Sequence, residues 1–286
     1  MLNMILYPAD RSGTGRIDAA FGREYEAAVS TGLFSVALFN YDQWLSGNTL
    51  ELYGAPDVAM TAVYRGWMLK PERYRALYDE LKGMGIELVT NPTCYEKLHL
   101  FPNVYDEIQV DTARTVIIPD GEEINIGRIR TQFDRFMVKD YVKSVKGTDF
   151  PGFFDATVTQ ETFDEQMKTF YKYRGTRYIG GICIKEYLEL KRYDRNTNEY
   201  RVFYMNHEMG TVSRNSLQGN YTPQPPKEML ARYAQLGSPF YTVDYAELKD
   251  GSWKIIEVGD GGVSGLSDGQ NAEGFYRTLY HAFSGL

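Results

Sequence analysis

Residues 242–258 read Thr-Val-Asp-Tyr-Ala-Glu-Leu-Lys-Asp-Gly-Ser-Trp-Lys-Ile-Ile-Glu-Val, with one carboxylate on each side of an Asp-Gly turn. The pair Asp250-Gly251 is typical of two-residue hairpin loops, and such a loop makes Asp244 face Glu257 directly. Directly opposed residues share one face of a sheet, with Cβ atoms about 4.5–5.5 Å apart. Two like charges at that spacing need a neutralising partner, and a hard divalent cation would supply one.

The same hairpin register predicts which residues surround the two carboxylates. Apolar residues are expected on their face, in the pairs Ala246 with Ile255 and Leu248 with Trp253. On the opposite face, Glu247 and Lys254 would form an ordinary charge pair in water. Two acids that only solubilise a sheet surface are the alternative, but carboxylates at the end of an apolar face favour a functional site.

Length and charge exclude several classes of protein. A chain of 286 residues can bury a substantial core and divide into two or three lobes. Its net charge of −7 argues against nucleic acid as a partner, because sequence-independent binding needs a basic surface. Only Cys94 and Cys183 could form a disulfide, and neither a signal peptide nor a long apolar run is found. We therefore expect a cytoplasmic protein without membrane attachment.

The histidines give no sign of a metal or triad site. His99, His207 and His281 are far apart in the sequence and have no ligand-like neighbours. A zinc centre or a histidine-centred catalytic triad would need such residues to cluster. Chemistry is therefore expected to depend on carboxylates, lysines and arginines.

Strands and helices alternate over the first 125 or so residues, which predicts a small open α/β domain. Helices are expected from Asp18 towards Ser30, ended by Gly32, and from Pro71 onwards. Ligands of such domains bind beyond the carboxyl ends of the strands. Arg65 follows one strand, where its guanidinium could hold a carboxylate or phosphate of the substrate, or could instead cap nearby carbonyl groups.

Lysines concentrate at the strands that follow. Lys139 ends an apolar strand, and Lys143 and Lys146 lie in the next loop, a spacing that suits a polyphosphate. Lys185 lies inside an apolar strand, where an unpaired lysine would be costly to bury. A hairpin around Asn206-His207 is then expected to bring Arg201 and Arg214 near one another or near a shared groove.

This order of lysines, arginines and opposed carboxylates resembles the ATP-grasp superfamily of carboxylate–amine ligases, over roughly residues 125–286. It looks closest to a clade of predicted peptide or amino-acid ligases defined by one arginine and two lysines. The run Glu199-Tyr-Arg201-Val-Phe-Tyr, with Arg214 downstream, is similar to glutamate ligases that act on ribosomal protein tails. The resemblance implies an α/β and α+β chain, with an N-terminal open α/β domain (1–125), an ATP-grasp small lobe (126–190) and a large lobe with the hairpin (191–286).

The resemblance also implies roles for individual residues. The implied ATP-binding residues are Lys139, Lys143, Lys146, Lys185, Glu186, Tyr187, Leu188 and Glu199. Within this set, residues 186–188 would contact adenine through their backbone, and Glu199, preferred over Glu189, would bind the ribose. The implied catalytic residues, which would face the γ-phosphate and the acyl substrate, are Arg201 and Arg214. The implied Mg²⁺ ligands are Asp244 and Glu257.

Two features depart from the superfamily pattern. An asparagine usually follows the metal-binding glutamate by two residues, and Gly259 stands there in this chain. Asp260 could replace it through a shifted loop, or water could fill the position, since Mg²⁺ commonly keeps several waters. The usual glycine-rich phosphate flap is also missing, and residues 143–147 occupy its place. Closure over the nucleotide is therefore expected to depend more on side-chain charge than on backbone amides.

The function implied is an ATP- and Mg²⁺-dependent ligase that makes an amide through an acyl phosphate. A nucleotide-binding module that has lost ligation is the main alternative, motivated by the missing asparagine and flap. A metal-dependent hydrolase is a weaker one, because hydrolysis would not require Lys139 and Lys185. The substrate is expected to be a small molecule or peptide held by Arg65, Arg201 and Arg214, and a homodimer is possible because dimers are common in the superfamily.

Overall fold

The N-terminal part of the chain forms an open, mostly parallel sheet. The computed structural model describes residues 2–12, 15–55, 58–216, 218–219 and 221–284. The first sheet has the order β3-β2-β1-β4-β5 and consists of β1 Leu2–Pro8, β2 Ser35–Phe39, β3 Leu52–Tyr53, β4 Met60–Tyr64 and β5 Ile86–Leu88. β1 runs parallel to β2 and β4, and β4 runs parallel to β5, whereas β3 is antiparallel to β2.

Helices alternate with these strands, as the sequence predicts. They are α1 Gly22–Thr31, α2 Tyr41–Leu45, α3 Pro71–Gly83, α4 Pro92–His99 and α5 Phe101–Ile108, and a 3-10 turn Ala19–Phe21 precedes α1. Gly32 ends α1 with a left-handed φ of 67°, a conformation that glycine adopts without strain. Leu77 and Leu81 of α3 are buried, four residues apart on one face of the helix, whereas Met84, just after the helix, is exposed.

A second sheet occupies the middle of the chain. It is antiparallel, has the order β6-β9-β7-β8, and consists of β6 Thr115–Pro119, β7 Arg135–Asp140, β8 Phe154–Asp155 and β9 Gly181–Glu186. The helices α6 Ile126–Arg130 and α7 Gln160–Arg174 cover one face, and their buried apolar side chains share a core with the strands. Because β6 pairs with β9, the boundary expected at residue 125 falls after the first strand of this sheet.

A third, antiparallel sheet carries the hairpin. Its order is β13-β12-β14-β15, with β12 Glu199–Met205, β13 Glu208–Arg214, β14 Phe240–Glu247 and β15 Trp253–Asp260. The short pair β10 Arg192–Tyr193 and β11 Asn196–Thr197 precedes it, and α8 Lys227–Arg232 and α9 Ala272–Phe283 follow in the chain. α9 packs back onto α1 and β1, so both ends of the chain meet in one core. Within the described ranges, no helix has the length and apolar character needed to cross a membrane.

The hairpin register differs from the prediction near its turn. Leu248 donates its N–H to Ser252, and Gly251, with a φ of 87°, donates to Leu248, which makes a three-residue loop closed by a left-handed glycine. The resulting pairs are Tyr245 with Ile255, Ala246 with Lys254 and Glu247 with Trp253. An extra residue, Ile256, then bulges out of β15 and shifts the register by one. The predicted pairing of Asp244 with Glu257 is confirmed, although the three predicted pairs nearer the turn are wrong.

This shift changes the surroundings of Glu247. The residue is buried, 3 % exposed, rather than paired with Lys254 in water. Its carboxylate accepts from Nζ of Lys191 at 2.8 Å and from Nδ2 of Asn198 at 2.7 Å. Lys254 instead donates to the carbonyl of Val110 at 2.9 Å. The predicted cross-strand charge pair is therefore replaced by these contacts, because the three-residue loop shifts the register by one and places Lys254 opposite Ala246.

Candidate functional site

Arg201, Asp244 and Glu257 lie side by side across the third sheet. β12 pairs Arg201 with Asp244, and β14 pairs Asp244 with Glu257. Directly paired residues share a face, so the three side chains project from one side of the sheet. Nε and Nη2 of Arg201 donate to the two carboxylate oxygens of Asp244 at 2.8 and 2.6 Å. This bidentate geometry fixes both side chains.

Lys143 neutralises the second carboxylate. Its Nζ lies 2.6 Å from Oε1 of Glu257. The loop that carries Lys143 is shaped by the buried Asp140, whose Oδ1 accepts the N–H groups of Val142 at 2.8 Å and Lys143 at 2.6 Å. Arg174 of α7 donates from Nε to the other oxygen of Asp140 at 2.7 Å. The middle sheet and α7 together therefore present this lysine to the third sheet.

The pKa values of the two carboxylates are shifted in opposite directions. Burial raises the pKa of Asp244, and Arg201 opposes that shift. Burial also disfavours the charged form of Glu257, but Lys143 and Lys139 outweigh it and lower the pKa of this carboxyl. Each acid thus has its own cation, and Glu257 is held ionised at neutral pH.

The two strand lysines lie on one face of the middle sheet. Lys139 on β7 and Lys185 on β9 are 7 % and 4 % exposed, and their ammonium groups lie 5.2 and 4.1 Å from the centre of the Phe101 ring. Burial lowers the pKa of Lys139, and burial together with Lys139 lowers the pKa of Lys185 to about 7. Nζ of Lys185 also approaches the carbonyl of the bulged Ile256, at 3.4 Å. Two closely spaced lysines, neither of them ion-paired to a carboxylate of the described chain, are an arrangement suited to an anionic ligand.

A cavity of about 790 Å³, here called the lysine cavity, opens between the middle and third sheets. Its walls include every residue predicted to bind nucleotide, namely Lys139, Lys143, Lys146, Lys185, Glu186, Tyr187, Leu188 and Glu199. Glu257 and Ile256 of β15 also line it. Ligand cavities in proteins commonly have volumes of about 300–1,000 Å³. The structure thus brings the lysines at 139, 143 and 146 together with residues 185–188 and Glu199, which lie in distant parts of the sequence.

The segment after β9 is held in place by two arginines that the sequence interpretation missed. Glu186 and Tyr187 donate their N–H groups to the carbonyls of Arg114 and Arg135, both at 2.9 Å. Nε and Nη2 of Arg114 also donate to the two carboxylate oxygens of Glu186, at 3.0 and 2.8 Å. Arg135 lies 4.4 Å from the centre of the Tyr187 ring. These contacts fix the backbone at residues 186 and 187, and the contact of residues 186–188 with adenine stays a prediction.

Both candidates for the ribose acid line the lysine cavity. Glu189 is already paired with Lys249 at 2.9 Å and with Arg135 at 3.3 Å. Glu199 instead accepts from the hydroxyl of Thr197 and from Nδ2 of Asn215, the latter at 3.3 Å. Ribose hydroxyls can replace the neutral donors of Glu199 more easily than they can replace the ion-pair partners of Glu189. Glu199 therefore stays the preferred residue.

Two further cavities continue from the lysine cavity towards the N-terminal sheet. The inner cavity, about 260 Å³, is lined by Arg201, Thr242 and Glu257, among others. The outer cavity, about 1210 Å³, lies between the N-terminal domain, the loop after β7 and residues 262–266. Lys143 lines all three cavities. The three spaces therefore meet at this lysine, next to the opposed carboxylates.

Several lining residues were not predicted from the sequence. Met68 and His99 line both the inner and the outer cavity, and Trp67, 43 % exposed, lines the outer one. Burial lowers the pKa of His99 to about 3, so it is uncharged at neutral pH. Trp67 could have been predicted from the sequence, because it follows the strand end at Arg65-Gly66 and open α/β domains bind ligands at such ends. His99 could not, since its neighbours come from distant parts of the chain.

Arg214 does not join Arg201 in the site. The predicted hairpin is present, with Asn206 and His207 at positive φ in its turn. However, Arg214 pairs with Tyr200, and consecutive residues of a strand project to opposite faces. The register therefore puts Arg214 on the face opposite to Arg201, and the predicted shared groove is wrong.

Asp260 does not join the opposed carboxylates either. It is buried on the face of β15 opposite to Glu257, and its Oδ1 accepts the N–H of Gly262 at 2.8 Å. Burial raises its pKa to about 7. It caps the 3-10 turn Gly261–Val263 instead of completing a metal site. Across the described part of the chain, no cluster of three His, Cys, Asp or Glu side chains is arranged to hold a metal.

Arg65 is used inside the protein. Its guanidinium is 2 % exposed and donates to Oε2 of Glu24 at 3.0 and 2.5 Å. Nη1 also donates to the carbonyls of Gly261 and of Ser264, the latter at 2.8 Å. The alternative in which Arg65 caps nearby carbonyl groups therefore describes the structure, and the predicted direct contact with substrate is corrected.

Solved structures of several ligases and synthetases have similar folds. The D-cycloserine synthetase DcsG matches with a TM-score of 0.62 and 14% identity, covering 98% of this chain and 99% of that one. The ATP-grasp ligase PsnB, solved with a minimal precursor, Mg and ADP, gives 0.61 and 9%, covering 97% of both chains. The D-alanine–D-alanine ligase from Bacillus anthracis, solved with ATP, gives 0.57 and 12%, covering 100% of this chain and 97% of that one. These likenesses confirm the predicted fold class over the whole chain.

A comparison with curated protein sequences finds no match. A family model does match residues 127–279, more than half of the chain. The model describes an ATP-grasp domain, the third family of the clade named for one arginine and two lysines. The matched range contains the strand lysines, Arg201 and both opposed carboxylates. The chain therefore belongs to this third family of the clade, and with it to the ATP-grasp ligases that use ATP and Mg²⁺.

Proposed function

We propose that this protein joins a carboxylate to an amine through an acyl phosphate, using ATP. The observation that carries the proposal is the meeting of three cavities at Lys143, whose ammonium group contacts Glu257 of the opposed carboxylates. A nucleotide in the lysine cavity would direct its phosphates towards the inner cavity, and a carboxylate substrate would enter from the outer one. The two reactants would then meet beside Arg201.

The residues present fit Mg²⁺ bound together with a nucleotide. Asp244 and Glu257 offer two hard carboxylates on one face, and phosphate oxygens and water can complete the octahedron that Mg²⁺ prefers. Arg201 and Lys143 hold these carboxylates in the structure, so the ion would share or displace those contacts. Bound Mg²⁺ would neutralise phosphate charge and orient the phosphates. The chain supports this site with two carboxylates rather than three.

The first step is phosphoryl transfer. A carboxylate oxygen of the substrate attacks the γ-phosphorus, the bond to the β–γ bridging oxygen breaks, and ADP leaves. The enzyme contributes mainly by positioning and by neutralising charge. Lys139 and Lys185 would hold the phosphates, while Lys143 and Arg201 would balance the negative charge of the reacting groups.

The second step forms the amide. The lone pair of a neutral amine attacks the carbonyl carbon of the acyl phosphate, the carbon–oxygen bond to phosphate breaks, and the amine loses one proton to solvent or to the departing phosphate. Closing the site against water would protect the acyl phosphate from hydrolysis.

The size of the outer cavity supports a peptide as one substrate. About 1210 Å³ exceeds what a single amino acid needs, and the exposed Trp67 and Met68 offer apolar contacts at its wall. PsnB, which has a similar fold, was solved with a precursor peptide. We therefore propose that a peptide occupies the outer cavity and supplies one of the two reacting groups. An amino acid, or the end of a second peptide, would supply the other.

A magnesium-dependent ADP-release assay over pooled amino acids and short peptides, followed by mass spectrometry for a new amide, tests the proposal. We expect ADP release that depends on both substrates and a product whose mass equals their sum less water. Tight ATP binding without ADP release across the panel would instead favour a nucleotide-binding module. Turnover without ATP would point to a hydrolase.

A further inference from the structure

Residues 261–266, here called the glycine loop, contact Arg201. Val263, Ser264 and Gly265 line both the inner and the outer cavity. The carbonyl of Gly265 accepts a hydrogen bond from Nη1 of Arg201 at 2.9 Å. Asp244 holds the other two nitrogens of that guanidinium. The loop therefore supplies the third contact that fixes how Arg201 faces the inner cavity.

The opposite side of the glycine loop is held by the N-terminal domain. Nη1 of Arg65 donates to the carbonyls of Gly261 and Ser264, and the N–H of Gly66 donates to the carbonyl of Gly262 at 3.0 Å. Three carbonyls of one short loop are thus bonded by the end of β4. Gly265 follows Ser264 directly, so the loop carbonyl that Arg201 uses is adjacent to one that Arg65 fixes.

Arg65 is itself rigidly held. Glu24 of α1 accepts two of its N–H groups, and the Tyr276 hydroxyl donates to Glu24 at 2.7 Å. The guanidinium also lies close to the rings of Phe203 and Phe275, 5.8 and 5.4 Å from their centres. A buried pair with this many fixed contacts tolerates little displacement, because losing one partner leaves an uncompensated buried charge.

We propose that Arg65, oriented by Glu24, is a positioning residue for ligation: it fixes the glycine loop and, through the Gly265 carbonyl, the orientation of Arg201. The proposal rests on the proposed function, in which Arg201 faces the reacting groups. It assigns the N-terminal domain a part in catalysis without any contact between Arg65 and substrate. A purely structural role for the same ion pair would affect stability but not the chemical step.

Arg65→Lys separates these roles. Lysine keeps the charge, but its three donors share one nitrogen, so it cannot reproduce the four contacts that Arg65 makes from three nitrogens to Glu24 and two loop carbonyls. We expect kcat to fall by about tenfold or more while the KM for ATP stays within about twofold, since the interaction lost acts on the transition state. Arg23→Lys is the matched control, because Arg23 lies on α1 next to Glu24 and donates to the carbonyls of Ser267 and Gln270, beyond the glycine loop. Its kcat should stay near that of the wild type.

A double-mutant cycle then tests whether Arg65 acts through Arg201. In an Arg201→Lys background, Arg65→Lys should cause little further loss, because residues that act as a unit are not additive. The proposal would be overturned if the fold-loss of kcat in the double variant equalled the product of the losses in the two single variants. It would also be overturned by an Arg65→Lys enzyme with a lower Tm but an unchanged kcat. If Arg65→Lys does not fold, Glu24→Gln, which keeps an acceptor oxygen, should give the same pattern more weakly.

Hydrogen exchange of the glycine loop keeps this test distinct from that of the proposed function. Arg65→Lys should speed amide exchange over residues 261–266, and Arg23→Lys should not. Absence of turnover by the wild-type protein on every substrate would remove the proposed function, while unchanged exchange in Arg65→Lys would remove the positioning role.

Discussion

Lys143 and Glu257 are separated by 114 residues in the sequence, yet Nζ of the lysine lies 2.6 Å from Oε1 of the glutamate. The contact joins the loop after β7 to β15 at the point where the three cavities meet. It gives the loop that stands in place of a glycine-rich flap a direct link to a candidate Mg²⁺ ligand. That side-chain charge in this loop replaces the backbone amides of a glycine-rich flap over the nucleotide stays a prediction.

Removing this lysine is expected to weaken both binding and turnover. Lys143→Met should raise the KM for ATP and lower kcat by roughly tenfold to a hundredfold, because charge at the transferred phosphate is lost. Lys146→Met, in the same loop, should have a smaller effect, since Lys146 lines the lysine cavity but not the inner one. Steady-state ADP release measures both. Equal effects of the two variants would contradict a special role for Lys143.

Asp244→Asn should lower kcat far more than it lowers stability. Asparagine keeps the shape and one acceptor for Arg201 but loses the charge that Mg²⁺ needs, so we expect roughly a hundredfold loss of turnover. Urea unfolding should show a much smaller change. Asp250→Asn at the exposed tip of the same hairpin is the control and should leave turnover intact. ADP release by Asp244→Asn at the wild-type rate would sink the assignment.

Nucleotide binding should take up a proton at mildly alkaline pH. Burial and Lys139 lower the pKa of Lys185 to about 7, so at about pH 8 the free protein holds this side chain mostly uncharged. Phosphate oxygens favour its charged form. Titration calorimetry in buffers of different ionisation enthalpy should show uptake approaching one proton at about pH 8 and little at about pH 6. Lys185→Met should abolish the buffer dependence; its persistence would assign the proton to another group.

Asp260→Asn should change how stability depends on pH. Burial raises the pKa of this carboxyl to about 7, so the folded state holds a proton that the unfolded state releases above an ordinary aspartate pKa of about 4. The wild type therefore loses stability as pH rises from about 4 to about 7, relative to the asparagine variant. Urea unfolding at a series of pH values measures the difference. Turnover should be largely retained, and a loss as large as that of Asp244→Asn would restore Asp260 as a metal ligand.

Glu199→Gln should weaken recognition of the ribose. We expect the KM for ATP to rise by roughly tenfold and the preference for ATP over 2′-deoxy-ATP to shrink, because the charge-assisted hydrogen bond to a hydroxyl is lost. Glu189→Gln, on the same cavity wall, is the comparison. If only Glu189→Gln reduces that preference, the ribose acid is Glu189.

Local sequence patterns were sufficient for much of the fold. The helix start at Pro71, the helix end at Gly32 and the alternation of strands with helices are short-range signals, and they predicted elements that the structure contains. The strand lysines were recognisable because a charged residue within an apolar run needs a reason. The candidate nucleotide-binding residues share one cavity because β7 and β9 are paired in the middle sheet and Glu199 lies on the neighbouring third sheet.

Long-range contacts could not be predicted. Nothing near Arg65 in the sequence indicates Glu24 as its partner, and the arginine fork would suit a substrate carboxylate equally well. Arg214 was misplaced because one residue of register decides which face a side chain takes. The pairing of Asp244 with Glu257 was predicted correctly, although the turn is one residue longer than expected. The longer turn shifts the strand register by one residue, and the bulge at Ile256 shifts it back.

That cancellation bears on how the hairpin could be engineered. The bulge is anchored from outside, because Ile255 donates its N–H to Asp111 at 2.6 Å and accepts from the Thr112 hydroxyl at 2.7 Å. The alignment of the carboxylates is therefore locked by a clamp that does not depend on the turn. Residues inserted between Asp250 and Gly251, such as an epitope tag, would lengthen the tip while leaving the acidic pair in alignment, which makes this tip a permissive insertion point a few residues from the reactive centre.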